Sequence, residues 1–445
     1  MASTDRTIRY PVIILILLLS LSAAAGRAVC RTSTGEAERD TVPGQTVTKI
    51  GIVGGHDINR RLVLARFGVR TGDIFDADEC ERGLDKVKRL HGVRSAFLRV
   101  LADLDTTGGV HLVIVISNAD TRIMRPAVSR CLTNDWSFGF RFDETNFRGV
   151  DERVKSIMLL GGATVAKASW LKPFFLENPR FGVHISAGYE QCDYPFPDYR
   201  QLLTDDRVKR FQGFAGLRLN ITDYIHLDVR PGVDVIETAD TISYDPRVPR
   251  SPSGTFTTLE IMLTADMRDR LFYPSSGFIL KGGRKDWGLL QSDSEIKNFL
   301  YWGEGAGYLS FWRLIGVLHS KVVFTHGEVP LILRQHLGGE GTIRGYDFGV
   351  FSGENSAIAT AEARLPLNFQ DPYADGNPLV RVDFHLFLDN GACWNGTDGF
   401  DQDLLHSGFG CGVNLMPGER GLISIDYAWQ LETNGMWQVN AGFFF

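Results

Sequence analysis

One glycine-rich stretch decides how this chain is interpreted: Leu337-Gly338-Gly339-Glu340-Gly341-Thr342-Ile343-Arg344-Gly345-Tyr346, continuing to Gly353-Glu354-Asn355. It lies between two regions in which apolar and polar residues alternate, a pattern typical of half-buried strands. Because glycine accepts backbone conformations that other residues avoid, this density predicts a tightly folded segment in a narrow space. Taken alone, such a stretch is more often a mobile surface loop. The choice depends on the rest of the chain.

The alternation extends over residues 121–445. In residues 380–390 the apolar side chains face one way and charged or polar side chains face the other, and residues 135–143, 356–365 and 437–445 repeat the pattern. Such strands suit a barrel with lipid outside and water inside, although a soluble sandwich alternates in the same way. Many strands are about 10 to 14 residues long, enough to span a membrane at a tilt. We count about sixteen strands, and Pro126 in the first of them belongs at an edge or seam.

The N-terminus has the pattern of a secretory signal peptide. Arg6 and Arg9 precede an apolar run at residues 11–21, and small residues follow with an Ala23-x-Ala25 cleavage pattern. We assign residues 1–28 to the signal peptide and residues 29–44 to a linker. The run is short for a membrane anchor, and the residues before Cys30 fit a lipoprotein poorly. If the mature chain lies in a membrane, it must do so as strands.

Residues 45–120 predict a small α+β domain. Residues 47–53 are expected to form a strand, residues 59–67 and 78–91 two helices, and residues 94–101 and 110–116 two more strands. Cys80, Leu84, Val87 and Leu90 form one apolar stripe at helical spacing. This order of elements builds two packed layers around one core.

Composition and motifs argue against several classes of protein. The chain is 44% apolar with 48 glycines and a formal net charge of −6, which excludes a disordered chain and makes nucleic acid an unsuitable partner. The six cysteines match neither a zinc site nor a disulfide scaffold. No hydrolase, metalloprotease or phosphate-loop motif occurs, so we expect no enzyme activity and no cofactor. His385 beside Asp383 suggests a catalytic pair, but alternation favours a solvated barrel wall.

Five motifs, in the same order along the chain, resemble the BamA/TamA superfamily of outer-membrane assembly factors, surface-antigen type barrels. They are Asp143-Glu144-Thr145-Asn146-Phe147-Arg148-Gly149, residues 264–269 with 272–277, the glycine-rich stretch, residues 387–391, and residues 407–410 with 426–428. Gly72-Asp73 before the second helix and Leu90-His91-Gly92-Val93 after it resemble a POTRA domain. The chain has one such unit, fewer than full BamA or TamA proteins and fewer than the pair in two-partner secretion transporters.

The resemblance implies a membrane all-β fold. A transmembrane antiparallel β-barrel of about sixteen strands at residues 121–445 would follow one POTRA-like periplasmic domain at residues 45–120. The chain would lie in the bacterial outer membrane and help to assemble, insert or translocate proteins. Implied partners are the lipid bilayer, unfolded outer-membrane or secreted clients, and accessory lipoproteins. Two alternatives remain open, a passive channel or structural barrel, because fold alone does not fix function, and a dedicated transporter for one secreted partner.

The resemblance also assigns a role to the glycine-rich stretch. Its functional loop would be Ile343-Arg344-Gly345-Tyr346, with Arg344 folded back into the barrel and paired with acidic residues of the inner wall. Alternation places Glu362 and Asp389 on the inward face of nearby strands, so we predict these two as the partners that lock the loop. The planar guanidinium can bind two carboxylates at once, which lysine does less well.

The C-terminus resembles the recognition signal of bacterial outer-membrane barrels. A phenylalanine closes an alternating strand there, and we assign the signal to Trp437, Gly442, Phe443 and Phe445. Gly442, together with Pro126 in the first strand, predicts a weakly paired seam where the barrel closes.

Overall fold

The computed structural model describes most of the chain after residue 43. Described are residues 44–102, 109–130, 136–175, 179–193, 207–238, 253–270, 273–289, 297–327, 329–339, 341–367, 380–396, 399–417, 423–430 and 433–441. The predicted signal peptide and nearly all of the predicted linker lie outside these residues.

The N-terminal part is a three-stranded sheet covered by two helices. Its elements are β1 (Thr46–Gly54), α1 (Arg60–Phe67), α2 (Ala77–Lys88), β2 (Val93–Ala102) and β3 (Gly109–Asn118). β3 is the central strand, parallel to β1 and antiparallel to β2. The order of elements is the one expected from the sequence. Among the described residues, no helix has the length and apolarity needed to cross a membrane.

Local chemistry explains where the two helices begin and how closely they pack. Asn59 and Asp76 cap α1 and α2, each accepting hydrogen bonds from two backbone N–H groups of the first turn. The predicted stripe on α2 is buried against the sheet. Gly83 faces α1, where a Cβ atom would overlap the carbonyl oxygen of Phe67. Only glycine therefore allows this close approach of the helices.

Sixteen antiparallel strands form the second part, the number expected from the alternation. They are β4 (Arg122–Arg130), β5 (Trp136–Phe147), β6 (Glu152–Gly161), β7 (Ala163–Lys172), β8 (Phe181–Asp193), β9 (Arg207–Asn220), β10 (Ile225–Thr238), β11 (Gly254–Asp266), β12 (Gly277–Trp287), β13 (Asn298–Phe311), β14 (Leu314–His326) and, after two short strands β15 (Gln335–Leu337) and β16 (Phe351–Gly353), β17 (Asn355–Pro366), β18 (Val380–Trp394), β19 (His406–Pro417), β20 (Ile423–Gln430) and β21 (Thr433–Ala441). Consecutive barrel strands are neighbours in this sheet, and β17 follows β14 in it because β15 and β16 form a separate pair.

The outer face of this sheet is apolar. Phe138, Phe140, Leu217, Leu386 and Trp437 come from strands all around the sheet, and each is between 54% and 71% exposed. A soluble sandwich would bury these side chains. A transmembrane barrel turns them toward lipid, so their exposure excludes the sandwich.

The inner face is polar and buried. Asp228, Asp234, Asp383, His385 and Asp389 are each no more than 1% exposed. Buried carboxylates require charged or hydrogen-bonding partners, and the barrel wall supplies them across neighbouring strands. Arg218, for example, binds Asp228 through two hydrogen bonds of 2.9 and 3.0 Å.

The two ends of the sheet meet without a shared ladder. β4 pairs with β5 and β21 pairs with β20, but over the described residues no backbone ladder joins β4 to β21, although Cα atoms of the two strands come within 8 Å. Pro126 lies in β4 opposite Phe140. Because proline lacks an N–H group, its place in a terminal strand costs no ladder bond on the free side.

Candidate functional site

The glycine-rich stretch forms most of a long loop between β14 and β17, here called the lumenal loop (residues 329–339 and 341–354). Its first part packs against one wall of the barrel. Val329, Ile332 and Leu333 are buried, and they share an apolar cluster with side chains of β9, β10, β11 and β12, which are Val208, Ile236, Phe256 and Trp287.

The second part of the lumenal loop packs against another section of the wall. β15 and β16 pair with each other and contact β18. Ile343 is completely buried and packs with Leu337, Ile358 and Cys393. The loop therefore has apolar anchors on β9–β12 and on β17–β18, and it crosses the lumen between them.

Arg344 is held by Asp389 of β18. Its Nε and Nη2 atoms donate to the two carboxylate oxygens of Asp389 at 2.7 and 2.9 Å, and its backbone N–H donates to the same carboxylate at 3.1 Å. The guanidinium carbon lies 3.4 Å from the ring centroid of Phe387. Burial alone would lower the pKa of Arg344, but the bond to Asp389 and the surrounding carboxylates raise it. The arginine is therefore a fixed cation at the inner wall.

A second carboxylate, which the sequence analysis did not assign, completes this arrangement. Asp426 of β20 accepts from Nη1 of Arg344 at 3.2 Å. Its other oxygen lies 3.0 Å from Nε2 of His385 and accepts from the hydroxyl of Ser424 at 2.7 Å. The arginine thus joins β18 to β20, across the intervening β19. His385 thus pairs with Asp426 and not with Asp383. It belongs to the barrel wall and not to a catalytic pair with Asp383.

Glu362, the other predicted partner of Arg344, is bonded to a different arginine. Glu362 faces the lumen as expected, but its carboxylate accepts a 2.8 Å hydrogen bond from Nε of Arg364. Arg364 is two residues further along β17, on the same face, and is 1% exposed. Because Arg364 occupies the carboxylate, Glu362 contributes to the electrostatic field at Arg344 without a hydrogen bond to that arginine.

Glycines on both sides allow the loop backbone to approach the wall. A Cβ atom at Gly408 of β19 would overlap the carbonyl oxygen of Arg344, and one at Gly391 of β18 would lie 2.8 Å from the side chain of Ile343. Gly345 has φ of +96°, a conformation that favours glycine, and its backbone lies against that of Trp429. The predicted tight fit of this stretch therefore depends on glycines of the wall as well as its own.

Tyr346 connects the loop to the last strands. Its hydroxyl donates to the carbonyl oxygen of Ser407 at 3.3 Å, and its ring packs against Phe351 and His406, 5.1 and 5.9 Å between centroids. Its carbonyl oxygen accepts from Nε2 of Gln438 at 3.3 Å. Gln438 belongs to β21, so the docked loop reaches the strand at the seam.

The assigned C-terminal signal is only partly within the described residues. Trp437 is 71% exposed on the lipid face, and its ring lies 4.8 Å from that of Tyr427 on β20. Gly442, Phe443 and Phe445 lie outside the described residues, so their roles stay predictions.

The early motif at residues 143–149 forms the turn between β5 and β6 and holds the N-terminal domain. The side chain of Asn146 donates to the carbonyl oxygen of Asp57 at 2.8 Å and accepts from the backbone N–H of Asp151 at 2.9 Å. The carbonyl oxygen of Gly149 accepts from Asn59 N–H at 2.8 Å, and a Cβ there would lie 2.9 Å from the carbonyl oxygen of Asp57. The asparagine and glycine of the motif are thus explained by docking.

A buried contact between a histidine and a carboxylate completes the docking of the domain against this turn. Asp151 Oδ1 accepts from the backbone N–H of His91 at 2.7 Å and lies 3.0 Å from its Nδ1 atom. Burial alone would raise the pKa of Asp151, but the charge and hydrogen bonds of His91 and the nearby Arg153 outweigh it and lower that pKa. The carboxylate therefore stays ionised in the contact.

Comparisons with known proteins agree with this geometry. A family model described as the Omp85 superfamily domain matches residues 146–445, and no curated protein matches the chain. BamA from Haemophilus ducreyi lacking POTRA domains 1–3 is similar in structure, with a TM-score of 0.56 and 14% identity over 89% of this chain and 83% of that one. CdiB from Acinetobacter baumannii has a TM-score of 0.58 and 13% identity over 89% of this chain and 73% of that one. CdiB from Escherichia coli has a TM-score of 0.51 and 12% identity over 100% of this chain and 98% of that one. At these identities, the structural likenesses concern the fold.

Proposed function

This chain belongs to the Omp85 superfamily, and we propose that it acts on client proteins through the seam between β4 and β21. It is a bacterial outer-membrane barrel of the class that assembles or translocates other proteins. The finer assignment concerns how it does so. We infer that a client strand pairs with the free edge of β4 or β21.

The observation that carries this proposal is the missing ladder at the seam. Every other pair of neighbouring barrel strands is joined by an antiparallel ladder, whereas β4 and β21 approach each other without one over their described residues. Unpaired backbone groups are costly in lipid because no water is present to bind them. A strand edge in that state is a template for another strand. The seam is therefore the part of the wall that can open at least cost.

The lumenal loop supports the same mechanism. Arg344 binds β18 and β20 together, and Tyr346 is in contact with β19 and β21. These contacts stiffen the C-terminal side of the sheet as one block. Movement is then confined to the junction with β4, where a client would enter.

The N-terminal part is proposed to be a POTRA-like periplasmic domain at residues 45–120, after a signal peptide at residues 1–28 and a linker at 29–44. Its sheet has β1 and β2 at its edges, and an extended client segment can add to such an edge through main-chain hydrogen bonds. Docking against the β5–β6 turn keeps the domain beside the barrel mouth. We propose no chemical reaction for the protein, and accessory lipoproteins remain proposed partners.

Site-specific photo-crosslinking tests the proposal. A photoreactive amino acid replaces Met124 of β4 or Trp437 of β21, both lipid-facing beside the seam and 69% and 71% exposed. Leu217 of β9, also lipid-facing at 66% exposed, is the matched control away from the seam. We expect client adducts from Met124 or Trp437 in cells that synthesise barrel proteins. Equal adducts from Leu217, or none from the seam, would contradict the proposal.

Depletion of the protein separates the remaining alternatives. A proteomic survey of the outer membrane should then show broad loss of barrel proteins if the seam serves general assembly. Loss of a single secreted protein would favour a dedicated transporter. An unchanged proteome together with an uncrosslinked seam would favour a passive barrel.

A further inference from the structure

A chamber lies between the N-terminal domain and the inner wall of the barrel. Its volume is about 640 Å³, and its lining includes Arg66, Lys86 and Arg89 from α1, α2 and the end of α2. Opposite them lie lumen-facing residues of β6, β9, β11 and β12. A volume of this size is typical of sites for small molecules.

The chamber carries a local excess of positive charge. Nine arginines or lysines line it against four aspartates, which are Arg66, Lys86, Arg89, Arg153, Lys155, Arg180, Arg218, Arg268 and Lys281 against Asp143, Asp151, Asp223 and Asp266. The whole chain, in contrast, has a formal net charge of −6. The cationic lining is thus concentrated at one place in an acidic protein.

Several of these cations are already neutralised. Arg268 binds Asp266 through two hydrogen bonds of 2.8 and 2.7 Å. Arg66 lies 2.8 Å from Asp223, at the turn between β9 and β10. Arg218 is bound by Asp228, as described above. These pairs are part of the wall and leave no charge for a ligand.

Three cations have no such partner. Among the described residues, no carboxylate lies within salt-bridge distance of Arg153 or Lys155, and Arg89 lies over the ring of Tyr224 at 4.0 Å. Nε of Arg153 is buried without a hydrogen-bond acceptor in the described part of the chain. Asp143, the cross-strand neighbour of Lys155, is instead bonded to Arg125 at 3.1 Å.

Arg153 and Lys155 point to the same side of the wall. They are two residues apart on β6, so their side chains share one face and start roughly 6 to 7 Å apart. Two cations without a salt bridge repel each other in a confined space, and a buried donor without an acceptor is costly. An anion between them would remove both penalties.

We propose that this chamber binds a phosphate-bearing anion, held by Arg153 and Lys155 of the barrel and by Arg89 of the N-terminal domain. The arginine fork matches two phosphate oxygens, and the lysine supplies a compact point charge. A free phosphate or pyrophosphate carries more negative charge than a carboxylate, which suits the excess of the lining. A free phosphoanion and the headgroup of an anionic phospholipid share this chemistry. Because Arg89 and Arg153 belong to different parts of the chain, the anion also bridges the domain to the barrel.

Calorimetric titration of the purified full chain in detergent with sodium pyrophosphate tests the proposal. We expect binding at one site that weakens with added salt. The double variant Arg153→Gln/Lys155→Gln should lose roughly 100-fold or more in affinity, because it removes two charge-assisted contacts with the anion. Lys167→Gln is the matched control, since Lys167 lies on β7 outside the chamber lining and pairs with Glu190 at 2.7 Å. It should bind as the original chain does.

A thermal readout keeps the test independent of folding defects. The double variant removes repulsion, so without ligand it should melt at or above the temperature of the original chain. Pyrophosphate should raise the melting temperature of the original chain and of Lys167→Gln only. In nanodiscs, the same stabilisation on replacing phosphatidylcholine by an equal mixture with phosphatidylglycerol would identify the lipid headgroup as the source. Stabilisation by pyrophosphate alone would identify a free phosphoanion.

Two results would overturn the proposal. One is the absence of saturable binding by pyrophosphate together with no stabilisation by phosphatidylglycerol. The other is equal loss of binding in Lys167→Gln and the double variant, which would indicate attraction to general surface charge. Neither result bears on client crosslinking at the seam, so the two proposals fail separately.

Discussion

Replacing Arg344 by alanine should release the lumenal loop from the wall. The substitution removes the two side-chain bonds to Asp389, the bond to Asp426 and the contact with Phe387. Ile343 and the rest of the apolar anchor stay in place. The loop should therefore loosen around residues 341–351 rather than leave the barrel.

The free-energy cost of Arg344→Ala depends on the hydrogen bonds that each carboxylate keeps. Among the described residues, Asp389 retains only the backbone N–H of residue 344, whereas Asp426 retains His385 and Ser424. Breaking a buried pair by removing one partner costs roughly 3–5 kcal/mol. Because only Asp389 loses most of its bonds, we place the cost at the lower end, about 3 kcal/mol. That is about a hundredfold shift from the docked to the undocked loop.

The assay is migration of the folded barrel on semi-native gels after a temperature series, with protease cleavage of the loop as a second readout. Arg344→Ala should unfold at a lower temperature and be cleaved faster. Arg344→Lys should recover part of both, because it restores the charge without the two-pronged geometry. Lys209→Ala is the control, since its partner Glu237 and Lys209 itself are exposed.

A result that refutes this reasoning is also clear. Suppose that Arg344→Ala unfolds at the same temperature as Lys209→Ala and the original chain, and that its loop is cleaved by protease at the same rate. The ionic contacts then do not hold the loop. The apolar anchor would then be sufficient to hold the loop.

The remaining predictions concern the loop's other partners and the docked domain. Asp426→Asn should increase loop cleavage by protease, whereas Glu362→Gln should leave it unchanged. Gly408→Val should lower the unfolding temperature on the same gels, at roughly 1–3 kcal/mol, because the added side chain blocks the loop backbone. Asn146→Ala should speed proteolytic release of the N-terminal domain, since an unsatisfied buried group costs about 1–3 kcal/mol. The contribution of Asp151 to docking, with its lowered pKa, should be complete above about pH 4 and disappear as the pH falls through its folded pKa, measured by the same proteolysis at a series of pH values.

The strands could be predicted because their information is local. A period of two requires only a residue and its neighbours, and the same pattern placed Asp389 on the inner face. Asp426 was also on an alternating strand, but it lies 82 residues from Arg344. Asp426 can reach Arg344 because β20 lies two strands from β18 in the sheet. Local alternation shows which face a residue is on, but not which strands lie close together.

Glu362 shows the opposite limit of alternation. The pattern gave its face correctly, yet facing the lumen does not determine which cation a carboxylate binds. Arg364 shares that face two residues away, and the sequence could have suggested it as a competitor. Gly408 and Gly391 are different again. Their need for glycine arises from contact with a loop that enters from elsewhere, so no local pattern reveals it.

The loop and the seam are physically connected, which links the best-defined site to the proposed function. The ionic contacts of Arg344 end at β18 and β20, and the carbonyl oxygen of Tyr346 accepts from Gln438 on β21. The terminal strand is therefore held from inside the barrel by the loop, while its lateral edge toward β4 has no ladder over the described residues. A strand supported from within can keep its shape while its edge is free to pair. The docked loop thus supports β21 from inside the barrel, and a client strand can pair with its free lateral edge.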